Sequence, residues 1–168
     1  MALNKEQKKE IIDVLKNIIK DSQSIVFVNF HGLSVEDTTR LRRALREENV
    51  RYRVAKKTLI KRALDGEKID GDIPGMEGEI ALTYLSAEAS EGDIIAPARG
   101  IYDFQKDHQD NLSIVGGIFE GRYMDQAAMT EIAMVPPMQV LRGMFVNVIN
   151  SSIQGMVVAL NQIAEKKS

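Results

Sequence analysis

The chain has no cysteine, which excludes disulfides, thiolate chemistry and cysteine-built zinc sites. It has two histidines, His31 and His108, far apart and in no motif with a nucleophile. His31 ends an apolar run and precedes Gly32, which suits a turn better than a catalytic role. The glycine-bearing stretches "GDIPGMEG" and "VGGIFEG" lack the P-loop Lys-Ser/Thr and the G-x-G-x-x-G spacing. Gly116-Gly117 is better read as permitting a bulge or turn. Asp65, Glu67, Asp70 and Asp72 crowd one loop without calcium-loop spacing. With no catalytic residue, metal site or cofactor site to name, the chain is read as a non-enzyme. Aromatics make up 5%, too few for a base-stacking platform, and Phe27, Phe30 and Tyr52 are read as core. The first residues, "MALNKEQKKEIIDVLKNIIKD", carry Lys and Glu throughout and no uninterrupted apolar run, so no signal peptide is expected. The triplets at Asn111 and Asn150 then have no secretory context, and a cytoplasmic location is expected.

What is present is an ordinary apolar content of 44% and a charge content of 27% over 168 residues, enough for one domain with a real core. The net charge of −2 hides an asymmetry. Residues 1–70 hold 16 Lys+Arg against 11 Asp+Glu, whereas residues 71–168 hold 6 against 13. Different partners at the two ends are implied.

Along the chain, Asn4 with Gln7 reads as a capping box before a helix that carries Ile11, Val14, Leu15, Ile18 and Ile19 at helical spacing. "SIVFVNF" is a strand, and Ser34 with Asp37 caps a helix to about Glu48. "VRYRV" alternates as a strand with one wet face, and a short helix at about 57–64 stops at Gly66. "EIALTYL" and "NLSIVGGIF" are two further strands. A helix is expected over about 91–106, with Pro97 in its first turn, and a short one over about 126–133. The fold class is therefore α/β, a mixed β-sheet flanked by helices, over residues 1–135. Pro136-Pro137 closes that body and opens a long C-terminal helical arm over 136–168, roughly 40–45 Å at 1.5 Å per residue.

Residues 40–62, "RLRRALREENVRYRVAKKTLIKR", hold ten Lys+Arg and two Glu. On a helical wheel Lys57, Thr58, Lys61 and Arg62 share one arc, and Leu59, Ile60 and Ala63 lie opposite. The apolar arc needs a core. The basic arc suits phosphates, which Lys and Arg neutralise and to which hydroxyls and amides donate hydrogen bonds. Arg40 and Arg43 lie on one side of the preceding helix, and Arg51 and Arg53 on one face of the strand. The bland alternative is a solvated basic surface. The local excess of charge favours nucleic acid, and structured RNA read by shape and phosphate fits better than single strands.

In the arm, Leu141, Phe145, Val148, Ile149, Ile153, Met156, Val157, Leu160, Ile163 and Ala164 cover about half the wheel. Asn147, Asn150, Ser151, Gln154, Asn161 and Gln162 fill a narrower wedge opposite. The segment has the length of a membrane span, but its amides, serines and Arg142 argue against lipid. The arc is too wide for a two-stranded coiled-coil seam. It could fold back over the sheet, self-associate, or lie in grooves supplied by other proteins.

"GLSVEDTTRLRRALREENVRYRVAKKTLIKRAL" closely resembles the signature of the bacterial L-ten family, the stalk-base protein of the large ribosomal subunit. Gly32-Leu33-Ser34-Val35 and Leu41-Arg42-Arg43-Ala44-Leu45-Arg46 match its pattern. Lys56-Lys57-Thr58-Leu59 matches K-N-T-L except that Lys57 stands where the family usually has Asn, which leaves phosphate contact open and removes a side-chain amide. Gly116-Gly117 and the junction at 133–137 are also similar. The resemblance spans essentially the whole chain, is strongest over 25–64 and is loose after Pro137. It implies a body bound to large-subunit rRNA beside an L-eleven-type protein. It also implies a helical arm that holds L-twelve-type stalk dimers, two by its length, which recruit translation factors. The implied rRNA contacts are Arg40, Arg43, Lys56, Lys57, Thr58, Lys61 and Arg62, with Lys5, Lys8 and Lys9 weaker. The implied stalk contacts are the apolar arc from Leu141 to Ile163. The alternative is an RNA-binding regulatory or ribosome-assembly protein that homodimerises through the arm.

Overall fold

The computed structural model describes residues 5–67, 69–85, 93–108 and 111–167. The order of elements is α1 (Lys5–Asp21), β1 (Ser24–Phe30), α2 (Val35–Glu47), β2 (Val50–Val54), α3 (Lys57–Leu64), β3 (Ile80–Leu85), α4 (Ala96–Asp107), β4 (Leu112–Phe119), β5 (Arg122–Asp125), α5 (Gln126–Ala133) and α6 (Met138–Lys167). It divides into two compact units, 1–135 and 136–168.

In the first unit a five-stranded sheet runs β2-β3-β1-β4-β5, with antiparallel ladders throughout and one isolated parallel bridge between Asp70 and Arg122. β1 is central. Its run Ile25-Val26-Phe27-Val28 is fully buried because both faces of the sheet are covered. Ile25 and Phe27 join Leu15 and Ile19 of α1 and Leu59, Ile60, Ala63 and Leu64 of α3 on one face. Val26 and Val28 join Leu41 and Leu45 of α2, Ala98 and Ile101 of α4, and Met129 and Ala133 of α5 on the other. Alternation along one strand thus supplies two cores.

Local signals set the element ends. Ser34 Oγ accepts from the Asp37 amide at 3.1 Å and so starts α2. Asp125 does the same for α5, accepting from the Ala128 amide at 2.9 Å. The expected box at Asn4 lies outside the described residues. The helix expected over 91–106 begins at Ala96, with Pro97 in its first turn, and Glu91 lies outside the described residues. β5 is a strand the sequence reading lacked. It pairs with β4 across a two-residue turn, in which Glu120 and Gly121 have φ of 50° and 77°. Register slips between Phe27 and Val28, opposite Gly116 and Ile114, so the Gly116-Gly117 pair sits at a β-bulge as expected.

The second unit is α6. Its Met138–Ala164 stretch contains an 18-residue window with a mean hydropathy of 1.4 and is long and apolar enough to cross a membrane by length and composition alone.

Candidate nucleic-acid interface

α3 divides its side chains as an amphipathic helix must. Leu59, Ile60, Ala63 and Leu64 are buried, which turns Lys57, Thr58, Lys61 and Arg62 to solvent. Lys56, the N-cap residue, is exposed and makes no side-chain cap. The Leu59 amide donates to the Lys56 carbonyl at 2.8 Å, so the Lys57 and Thr58 amides are the ones left for solvent or an anion. Lys56, Lys57 and Thr58 line a cleft of about 450 Å³ with Phe30, Val54, Ala55, Gly78, Glu79 and Ile80. Five of the seven expected RNA contacts thus stand together on α3 and its cap.

Arg40 and Arg43 are exposed on α2, whose buried stripe is Leu41 and Leu45. Each has an acid close by. Arg43 Nε lies 3.8 Å from Glu47 Oε1, an exposed pairing of the kind that water and salt weaken. Asp37 has its carboxyl held below the usual range, first by the hydrogen bond from the Ser34 hydroxyl at 2.7 Å, and further by His108 and Arg40.

Four other arginines line a second cleft. Arg42 and Arg46, one turn apart on α2, and Arg51 and Arg53 of β2 line a cleft of about 340 Å³ with Val50, Tyr52 and Tyr84. The Arg42 guanidinium lies 5.6 Å from the Tyr52 ring centroid, and Phe30 meets that ring edge-on at 6.5 Å. Burial pushes the Tyr52 phenol up to about 12, so it is neutral at working pH. Sequence reasoning placed Arg51 and Arg53 on one strand face but named none of the four as a contact. The i, i+4 spacing of Arg42 and Arg46 was the available signal.

On α6 the apolar side chains are exposed: Phe145 at 68%, Val148 at 67% and Met156 at 62%, with Ile149, Ile153, Val157, Leu160 and Ile163 comparable. Leu141 is half-buried. Val146, within the arc but not named, is exposed as well, and so are Met144 and Val158 on the opposite wedge, so the apolar surface is wider than the wheel arc suggested. The helix continues through Ser151, whose hydroxyl donates back to the Val148 carbonyl at 2.7 Å.

The family profile described as ribosomal protein L10 matches residues 3–106. The chain belongs to the ribosomal protein L10 family. It is 30% identical to the large ribosomal subunit protein uL10 of Bacillus licheniformis over 162 residues, 96% of this chain and 94% of that protein. It is 32% identical to the protein of the same name from Lactobacillus johnsonii over 161 residues, 96% of this chain and 95% of that one. As a member of the L10 family the chain is a structural ribosomal protein and not an enzyme. The span matched by the family profile contains every Lys and Arg of residues 40–62, whereas α6 lies beyond it. No group of three or more His, Asp or Glu side chains placed to hold a metal occurs among the described residues.

Proposed function

We propose that this protein works within the large ribosomal subunit, in the cytoplasmic ribosome, and that its two units have two partners. The first unit binds large-subunit rRNA at the base of the stalk, through Arg40, Arg43, Lys56, Lys57, Thr58, Lys61 and Arg62, beside an L-eleven-type protein. The second, α6, holds dimers of an L-twelve-type stalk protein on Leu141, Phe145, Val148, Ile149, Ile153, Met156, Val157, Leu160 and Ile163. These dimers recruit translation factors. The observation that carries the RNA half is the division of α3, whose apolar side is fully occupied by the core while its cations remain solvent-facing. The exposure of α6 supports the other half, because apolar faces of this extent mark interaction surfaces. At about 25 cal/mol per Å² of apolar surface covered, these side chains together supply a gross gain in the tens of kcal/mol, before ordering costs. Two dimers at some ten residues each fit 30 helical residues.

Two perturbations test the reading. Lys57→Glu, Lys61→Glu and Arg62→Glu together should weaken binding to large-subunit rRNA and flatten its salt dependence, since cation–phosphate contacts set that slope. Unchanged binding would remove this site. Deleting residues 138–168 should leave RNA binding intact and abolish capture of stalk protein. Retained capture would move the platform elsewhere. Light scattering with and without stalk protein separates this reading from a homodimer built on α6: a stable dimer indifferent to stalk protein would support the latter.

A further inference from the structure

We propose that the cleft between Arg42 and Arg46 of α2 and Arg51 and Arg53 of β2 is a second phosphate-binding subsite, which holds the RNA backbone at the free edge of the sheet. The proposal rests on the rRNA-binding reading and extends it to residues that the reading does not name.

Convergence is the first observation. Arg42 and Arg46 come from the layer on one face of the sheet. Arg51 and Arg53 pair across β3 with Tyr84 and Leu82, which belong to the core on the opposite face. The four arginines therefore line one cleft at the rim of β2, the terminal strand of the sheet, and come to it from both layers.

The second observation is lack of compensation. Arg43 and Arg99 have carboxylates within 4 Å, yet none of these four arginines has one among the described residues. Like charges one helical turn apart, and two apart on one strand face, repel each other. The Tyr52 ring under Arg42 orients the guanidinium without neutralising it, because its phenol stays protonated. A surface carrying such repulsion, with no carboxylate within 4 Å of these arginines among the described residues, is complementary to a polyanion.

Size and continuity point to RNA backbone. The cleft of about 340 Å³ is roughly ten times the ~30 Å³ share of one water in the liquid, so it admits a nucleotide-sized group. Arginine's planar fork matches phosphate oxygens in pairs, which a lysine ammonium cannot do. Arg53 is followed after two residues by Lys56, so one strand of RNA can run from this cleft onto α3 without leaving positive surface.

The test titrates the full chain against large-subunit rRNA at several salt concentrations. The variants are Arg46→Gln/Arg51→Gln and Arg46→Lys/Arg51→Lys. Removing two phosphate contacts should lower the slope of log K against log salt by roughly 1.4–1.8, at about 0.7–0.9 per charge. Affinity near 0.1 M salt should fall at least tenfold. The lysine pair should restore the slope while recovering affinity only in part. The proposal is overturned if the glutamine pair binds with wild-type slope and affinity while the α3 charge reversal still weakens binding. It is equally overturned if the glutamine pair self-associates in light scattering with RNA affinity unchanged. The arginines would then serve only to keep the edge strand from pairing with another chain. If the unaltered protein fails to bind rRNA at all, the broader reading fails, and this proposal falls with it.

Discussion

Replacing Gly117 by alanine tests the seam on which the sheet is built. A Cβ at Gly117 would fall inside contact distance of the Ile25 carbonyl oxygen and the Met129 Sδ-methyl carbon. The methionine end can swing, but it is fully buried and must find space in a filled core. The carbonyl cannot swing, because Ile25 lies in the central strand, buried on both faces and paired on both sides. The neighbouring Gly116 makes an instructive comparison. Its φ is 151°, and a Cβ there would lie 2.6 Å from the Met124 carbonyl oxygen and 3.0 Å from Pro74 Cβ. Ordinary contact needs a retreat of just under ~1 Å, and Met124 sits in a four-residue edge strand that can move. Overpacking typically costs about 1–3 kcal/mol. We therefore expect about 3 kcal/mol for Gly117→Ala, where backbone obstructs, and no less for Gly116→Ala, where a smaller obstruction adds to the strain of a φ that L residues rarely adopt. With an unfolding entropy of roughly 2.1 cal/mol/K per residue, the first unit of 135 residues should lose about 10 °C in Tm for Gly117→Ala. Gly155→Ala serves as the control, since a Cβ there meets open space on α6. Calorimetry of the three variants measures the order. A Gly117→Ala protein within about 0.5 kcal/mol of the parent, the range of an inconsequential surface change, would refute the close approach of β4 to β1.

Two further outcomes follow from charged groups in the first unit. The Asp37 carboxyl is lowered chiefly by the Ser34 hydroxyl, so its stabilising contribution is complete above the ordinary aspartate range and is lost as pH falls through the lowered folded value. Ser34→Ala should cost about 1 kcal/mol at pH 7, and Asp37→Asn should make the urea midpoint less sensitive to acid below about pH 4. Arg99 is 9% exposed and donates from Nε to the Val135 carbonyl at 3.1 Å and from Nη2 to Asp93 at 2.6 Å. Arg99→Met should destabilise the first unit by about 2 kcal/mol in urea melts at pH 7. Burial raises the nearby Glu48 carboxyl, an effect that Arg99 partly offsets. A raised carboxyl disfavours folding as pH rises through its folded value, so the Arg99→Met penalty should shrink on going from pH 7 to pH 4.

The parts of the fold legible in the sequence are those set by neighbours in the chain. β1 is readable as a strand because "SIVFVNF" is a β-branched and aromatic run of strand length, although its cover on both faces appears only in the fold. α3 and its wet face follow from eight residues at helical spacing. β5 was missed because "RYMD" alternates weakly and is only four residues long, although the Glu-Gly turn before it was visible. The start of α4 was misplaced because Ile95 carries no capping side chain to mark it. The four-arginine cleft was not readable for a different reason. Arg42 and Arg46 meet Arg51 and Arg53 only once α2 is laid against the edge strand, a juxtaposition no local pattern encodes. Charge counting found the region, and tertiary packing chose which members converge.

The same contrast separates the two kinds of apolar stretch in this chain. In β1 and α3 every large apolar side chain has a destination inside the first unit, and the polar residues between them are turned out as a by-product. On α6, Val146 and Val148 are as exposed as Phe145, and Met144 and Val158 carry apolar surface onto the side that Asn147, Asn150 and Gln154 occupy. A core-facing helix concentrates its apolar residues in one stripe, because only one side meets the core. A helix covered by several separate bodies has no such restriction, since each can approach from its own direction. The spread of apolar side chains around α6 thus favours more than one protein seated along it over a single fold-back contact, and agrees with the proposed pair of dimers better than with one self-complementary seam.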